Sequence, residues 1–320
     1  MIPSHKLHLL ALALAGVLTA SHSTAQVGTL PATFRTNAQL VLVPVSVIDH
    51  SGKTVEGLTA RNFTLMEDQV SQQIVSFTSD DAPSSVGIVL DISGSMRYTL
   101  TGAKAIAHVF LKTANPEDEF FLLTVSSQPD ALSGFTTDVP ALEREVDSTR
   151  PGGMTALIDT VYAALNQMRK AHKSRRALII VSDGLDNNSR YSKNELMRVA
   201  LEADVQVYTV LVNNDPGGGS AGGALFRPSM AAKPWDQARQ LQGPSMLEEL
   251  SEKTGGLHFH ARNEDAAKEA AVKVGRAIRE EYVIGYHPAE ASSSGKWHRV
   301  RVKADVPHVS VYARNGYYSR

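Results

Sequence analysis

The chain contains no cysteine among its 320 residues. That absence excludes a disulfide framework, thiolate ligation of zinc or iron–sulfur clusters, and a cysteine nucleophile. Any metal must therefore be held by oxygen or imidazole. Net charge is nearly absent as well: 32 Lys+Arg against 33 Asp+Glu give a formal −1 at pH 7. This removes the counterion-release term that drives nucleic-acid binding. No Walker A lysine pattern and no GxSxG elbow occur, so P-loop and α/β-hydrolase chemistries find no support. Beyond the N-terminal segment no stretch is long and apolar enough to span a bilayer. Apolar residues are plentiful, at 42%, which is ordinary for a chain that buries a real core.

Lys6 precedes an apolar run from Leu7 to Ala20, and Ser23-Thr24-Ala25 is a small-residue cleavage pattern before Gln26. This is the signature of a secretory signal peptide. The run of about 14 residues is short for the roughly 20 a spanning helix needs. The expected mature protein is exported, periplasmic or secreted, and starts near Gln26.

Residues 39–80 read as short strands. Val41, Val43, Val45 and Val47 share one face by two-residue periodicity. Asp49-His50-Ser51-Gly52 is a turn, and Val55 to Leu58, FTLMED and QQIVSFTS follow as further strands. After the polar stretch Asp80 to Ser85 the pattern changes to alternating strand and helix. VGIVL (86–90), EFFLLTV (119–125), ALIIV (177–181) and 205–212 are continuous apolar runs, as in parallel strands buried on both faces. A weak strand is expected near 131–136. Helices are expected at 99–112, 140–148, 156–170, 192–203 and 264–281, with a short strand at 257–260. Ser192 with Glu195 and Ser245 with Glu248 form capping boxes, and Gly255-Gly256 stops the helix that Ser245 opens. Tyr282–Tyr286, Trp297–Lys303 and Val309–Ala313 return to strands.

These patterns predict an α/β fold: a doubly wound, mainly parallel sheet with right-handed crossovers, plus a small β module built from the N- and C-terminal strands. The expected divisions are a signal peptide over 1–25, a β segment over 26–83, an α/β domain over 84–282 and a C-terminal β segment over 283–320. Within the α/β domain, the Gly/Ala-rich stretch 213–243 is expected to be a flexible loop.

Ligands of an open parallel sheet sit beyond the carboxyl ends of its strands. There the chain places Asp91-Ile92-Ser93-Gly94-Ser95, then Gly152-Gly153-Met154-Thr155, then Ser182-Asp183-Gly184. Two carboxylates and three hydroxyls on three loops are hard oxygen donors, suited to Mg²⁺ or Mn²⁺ and less often Ca²⁺. Taken singly, Ser93, Ser95 and Thr155 could be helix caps and Asp183-Gly184 a turn. Asp159, one turn on, reads as ordinary helix surface.

At these five positions the chain resembles the von Willebrand factor type A domain family and its metal-ion-dependent adhesion site. The likeness covers roughly residues 84–282. The flanks, VLVPVSVIDHSGKTVEGLTARNFTLMEDQVSQQIVSF and EYVIGYHP…KWHRVRVKA…VYARNGYYSR, resemble a bacterial, acidobacterial-type subgroup of exported "VWFA-related" proteins. The resemblance implies that Ser93 and Ser95 bind the cation directly. Thr155 would bind it directly or through water, and Asp91 and Asp183 mainly through water. A vacant position would accept an Asp or Glu carboxylate from a protein or peptide partner. The implied activity is non-enzymatic adhesion. The alternatives are a metal-assisted hydrolase or phosphatase at the same edge, or an envelope scaffold with a vestigial metal site. Against the enzyme, no second carboxylate follows two residues after Asp91, and no general base with a recognisable partner appears.

Other signals carry less. Gly217-x-Gly219-x-x-Gly222 matches a dinucleotide fingerprint but opens no helix. His258 and His260 share one side of a strand without a carboxylate pair to complete a metal site. Arg299, Arg301 and Lys303 read as a solvated strand face, and Trp297, Tyr317 and Tyr318 as packing of the β module.

Overall fold

The structure of the protein, a computed structural model, describes residues 40–127, 134–213, 234–288 and 295–319. The signal-peptide segment, the Gly217–Gly222 motif and most of the expected 213–243 loop lie outside these residues.

The described chain opens with β1 (Val41–Asp49), β2 (Phe63–Glu67), β3 (Val70–Gln72) and β4 (Ile74–Thr78). Units of strand and helix follow: β5 (Ser84–Asp91), α1 (Leu100–Lys112), β6 (Glu119–Val125), α2 (Val139–Ser148), α3 (Leu157–Met168), β7 (Arg175–Ser182), α4 (Lys193–Ala203) and β8 (Gln206–Val212). After these come α5 (Pro234–Thr254), β9 (His258–Ala261) and α6 (Glu264–Arg279). The chain closes with β10 (Tyr282–Tyr286), β11 (Trp297–Ala304), β12 (Val309–Ala313) and β13 (Gly316–Tyr318).

The apolar runs form one five-stranded parallel sheet, ordered β6-β5-β7-β8-β9. Alternate side chains of its strands enter two cores. Val86, Ile88 and Leu90 pack with α1, α2 and α6 on one face; Val89, Leu178 and Ile180 pack with α3, α4 and α5 on the other. This is the doubly wound α/β arrangement that the alternating strand–helix pattern predicts. Close packing at its centre fixes residue size. A Cβ on Gly87 would sit 2.4 Å from the Phe121 ring and 2.7 Å from Leu178. Gly87→Ala is therefore expected to cost roughly 1–3 kcal/mol by overpacking, read as a lower denaturant midpoint with an unchanged slope.

The two ends of the described chain interleave in two antiparallel sheets, β12-β1-β10-β4 and β13-β11-β2-β3. β1 lies between two C-terminal strands, with Val43 opposite Ile284 and Val47 opposite Val311. Its four alternating valines are all buried, and they share a third core with Phe63, Leu65, Val300 and Val302. Arg299, Arg301 and Lys303 face solvent, as their alternation predicts. Trp297 packs edge-on against Tyr318 and Tyr317 is buried.

Three local expectations are corrected. Residues 234–243 are helical, because α5 begins at Pro234 and runs through Ser245. Ser245 is therefore an interior residue and not an N-cap. Proline is favoured in a helix's first turn, where its missing N–H is not needed, and Asp-Gln-Ala-Arg-Gln-Leu-Gln after it favours helix. Pro244 sits inside the helix; Gly255, in left-handed conformation, ends it. Val55 to Leu58 form no strand beyond the single bridge of Thr54 to Ile48. Instead the Tyr282 hydroxyl accepts from Leu58 N–H and donates to the Val55 carbonyl, at 3.1 and 2.7 Å. Near 131–136, Thr136 makes one bridge to Phe120; residues 128–133 lie outside the described part. Among the described residues no helix is long and apolar enough to cross a membrane.

Candidate functional site

Parallel strands align their carboxyl ends, so the residues that follow β5, β6 and β7 meet at one edge of the sheet. Asp91 is the last residue of β5 and is fully buried. One of its oxygens accepts Ser93 N–H at 2.9 Å; the other accepts the hydroxyl of Ser182, the last residue of β7, at 2.5 Å. The Ser182 hydroxyl in turn accepts Gly184 N–H at 2.9 Å. Both Asp91 oxygens are thus oriented by neighbouring loops. Ser93 is buried and its hydroxyl lies 3.0 Å from that of Ser95, which is exposed. The Ser95 hydroxyl also favours the ionised Asp183 carboxylate, which accepts Leu185 N–H at 3.0 Å.

The loop carrying Thr155 is sewn to both others. Gly94 N–H donates to the Gly153 carbonyl at 3.1 Å, and Gly152 N–H to the Ile92 carbonyl at 2.8 Å. Thr155 is buried; its N–H donates to Asn187 Oδ1, and its carbonyl accepts from Asn187 and Asn188 N–H. A fourth loop, after β6, closes the edge: Met154 N–H donates to Ser127 Oγ at 3.0 Å. Gly153 has φ +78°, and a Cβ there would lie 2.8 Å from Ser127 Oγ, so glycine alone fits this approach comfortably.

Electrostatics set this edge apart. Burial, then the neighbouring Asp183 carboxylate, pushes the Asp91 carboxyl up to about 6, against the hydrogen bonds from Ser182 and Ser93. Burial also raises Asp183, against hydrogen bonds from Ser95 and Leu185. No lysine, arginine or histidine offsets either carboxylate among the described residues. Two like charges held together in a poorly hydrated place are costly, and a cation would relieve both. The donor set of two carboxylates and three hydroxyls fits a hard divalent ion.

The structure thus brings Asp91, Ser93, Ser95 and Asp183 to one edge of the sheet and places Thr155 in the loop bonded to it. Sequence reading misses the residues that hold these loops. Ser182 fixes Asp91. Buried Asp186 accepts Leu157 N–H at 2.9 Å and the Ser189 hydroxyl at 2.5 Å, capping α3 from a neighbouring loop. Asp159 is more than helix surface: its carboxylate accepts Arg190 and Tyr191 N–H at 2.9 and 3.0 Å. Only the clustering of Asp, Asn and Ser over 182–189 hinted at such a loop.

The histidine pair stands apart, on β9. His258 and His260 Nε2 lie 3.1 Å apart and His258 Nδ1 meets the Thr209 hydroxyl. Among the described residues no three His, Cys, Asp or Glu side chains are grouped to hold a metal.

Residues 86–185 match the family model described as a von Willebrand factor type A domain. An uncharacterised protein from Borreliella burgdorferi is 24% identical over 202 residues, 60% of this chain and 58% of that protein. The chain therefore spans less than two thirds of this curated relative. Among solved structures, a von Willebrand factor type A protein from Catenulispora acidiphila aligns over 89% of this chain and 75% of its own, at 12% identity and TM-score 0.49. The vWF domain of the type V pili tip protein Mfa5 from Porphyromonas gingivalis aligns over 66% of this chain and 99% of its own, at 14% identity and TM-score 0.46.

Proposed function

We propose that the von Willebrand factor type A domain carried by this chain is a non-enzymatic binding module that engages a protein partner through a divalent cation. Asp91, Ser93, Ser95, Thr155 and Asp183 hold Mg²⁺ or Mn²⁺ in this reading. Its main support is the pairing of buried Asp91 with half-buried Asp183, whose carboxylate raises that of Asp91, with no side-chain cation to offset them among the described residues. When bound, the ion supplies a Lewis-acidic position for an incoming Asp or Glu carboxylate. The Ser93 and Ser95 hydroxyls, 3.0 Å apart, are the direct donors. Asp91 has both oxygens engaged by Ser93 and Ser182, so it acts through the groups and waters it orients. The segment 1–25 directs export, so the partner is met in the envelope or outside the cell.

The test is capture of partners from an envelope fraction by the immobilised chain. A retained protein is expected in Mg²⁺, and is expected to be lost on chelation and with Asp183→Ala. Retention that survives both changes would contradict the cation-bridged mode and favour a scaffold working through its β sheets.

A further inference from the structure

The opposite edge of the parallel sheet carries a second constellation. β7 has eight residues, so at ~3.3 Å per residue its two ends lie roughly 25 Å apart. At its amino end, between that edge and the antiparallel strands, is a cavity of about 450 Å³ lined by Leu40, Leu42, Leu201, Arg176, Glu281 and Arg314, among others. An adjoining cavity of about 620 Å³ shares five of those six residues. Both volumes fall in the ~300–1,000 Å³ range of small-molecule sites.

Two independent features mark this place. Five buried side-chain polar atoms lack a hydrogen-bond partner among the described residues. Three of them, Arg176 Nε, Glu281 Oε2 and Arg314 Nε, belong to residues that line this one cavity. Such orphaned groups are rare in folded proteins, and each calls for a cause. Leu40 and Leu42, at 45% and 42% exposure, are among the few exposed large apolar residues of the described part, and both line the same cavity.

The charges single out one residue. Arg175 is paired with Glu281, Lys253 with Glu249, and Arg314 with Asp204 and the Leu42 carbonyl. Arg176, half-buried, lines both cavities; no ion pair or hydrogen bond engages its side chain among the described residues. Asp80 also lines the first cavity, but it is exposed and water screens it. An unpaired guanidinium presents a planar fork that matches a carboxylate bidentately.

We propose that this cavity is a second ligand site, distinct from the cation edge, which takes a small carboxylate with an apolar body. The carboxylate seats on Arg176, and the body covers Leu40, Leu42 and Leu201.

Calorimetric titration of the purified chain with decanoate, and with decanol as the uncharged match, tests this. Saturable decanoate binding is expected, at least tenfold tighter than decanol. Arg176→Gln breaks no existing pair, so it is expected to keep the wild-type melting temperature within a few degrees. It should weaken decanoate at least tenfold and leave decanol unchanged. Arg176→Lys, which keeps the charge but loses the fork, should fall between, and Asp91→Asn should bind decanoate as wild type does. No saturable decanoate binding, equal binding of acid and alcohol, or equal decanoate binding by wild type and Arg176→Gln would each overturn the site.

Discussion

Metal-free Asp91→Asn is expected to melt higher than metal-free wild type at pH 7 and to have lost the wild type's response to Mg²⁺. The sign follows from the carboxyl's displacement from 3.8 to about 6. Between those values the folded protein keeps a proton that the unfolded chain has released. Stability therefore falls as pH rises from about 4 through 6, by roughly 3 kcal/mol for this one group. At pH 7 wild type carries the whole penalty and asparagine carries none. Asparagine also preserves the local bonds: its Oδ1 accepts Ser93 N–H, and its amide donates to the Ser182 hydroxyl. At ~2–4 °C per kcal/mol for a protein of this size class, the gain is several degrees in a chelator-treated melt. The functional loss runs the other way. Residues that orient metal ligands typically cost 10–100-fold in metal affinity when replaced, so the Mg²⁺-dependent upshift of wild type should vanish. A stability gained by neutralising a residue and a cation response lost with it are the paired marks of a binding site. A structural carboxylate would show a loss of stability instead.

The second large effect lies at the other edge. Arg175 is buried beside Glu281 at 3.4 Å, and its guanidinium donates to the backbone carbonyls of Asp80, Arg279 and Glu281. Those carbonyls sit where the chain passes from β4 to β5 and from α6 to β10, the crossings between antiparallel and parallel sheets. Arg175→Met leaves three carbonyls and a buried carboxyl without their donor. A buried acceptor left without its donor typically costs ~1–3 kcal/mol, so losing three such bonds is expected to lower the melting temperature by on the order of 10 °C. Glu281→Gln should cost far less, because burial already raises the Glu281 carboxyl toward its neutral form, against the pull of Arg175, and Gln keeps its shape. Melts of the two variants at equal pH check this. A Glu281→Gln loss as large as that of Arg175→Met would show that the ion pair, and not the carbonyl clamp, carries the stability.

How much of this was legible in the sequence follows from what each residue needs to reveal itself. Continuous runs such as VGIVL and ALIIV announce parallel strands buried on both faces, and the alternating valines of β1 announce a one-sided strand. The Asp91-x-Ser93-x-Ser95 run is visible because it directly follows such a strand, and the capping box of Ser192 with Glu195 forms as its spacing predicts. Ser182, Asp159 and Asp186 were not legible, because their roles are held by partners on other loops. α5 was hidden by Gly243 and Pro244, local breakers that a helix packed against β8 tolerates. The cavity at Arg176 was beyond reach for the same reason: its walls come from both ends of the described chain and from the sheet between them.

Calorimetric titration of Mn²⁺ into chelator-treated wild-type chain decides whether this edge holds a cation. One saturable ion per chain is expected, displaced by Mg²⁺ and absent in Asp91→Asn. No saturable binding, or the same isotherm for wild type and Asp91→Asn, would contradict the assignment of a cation to this edge.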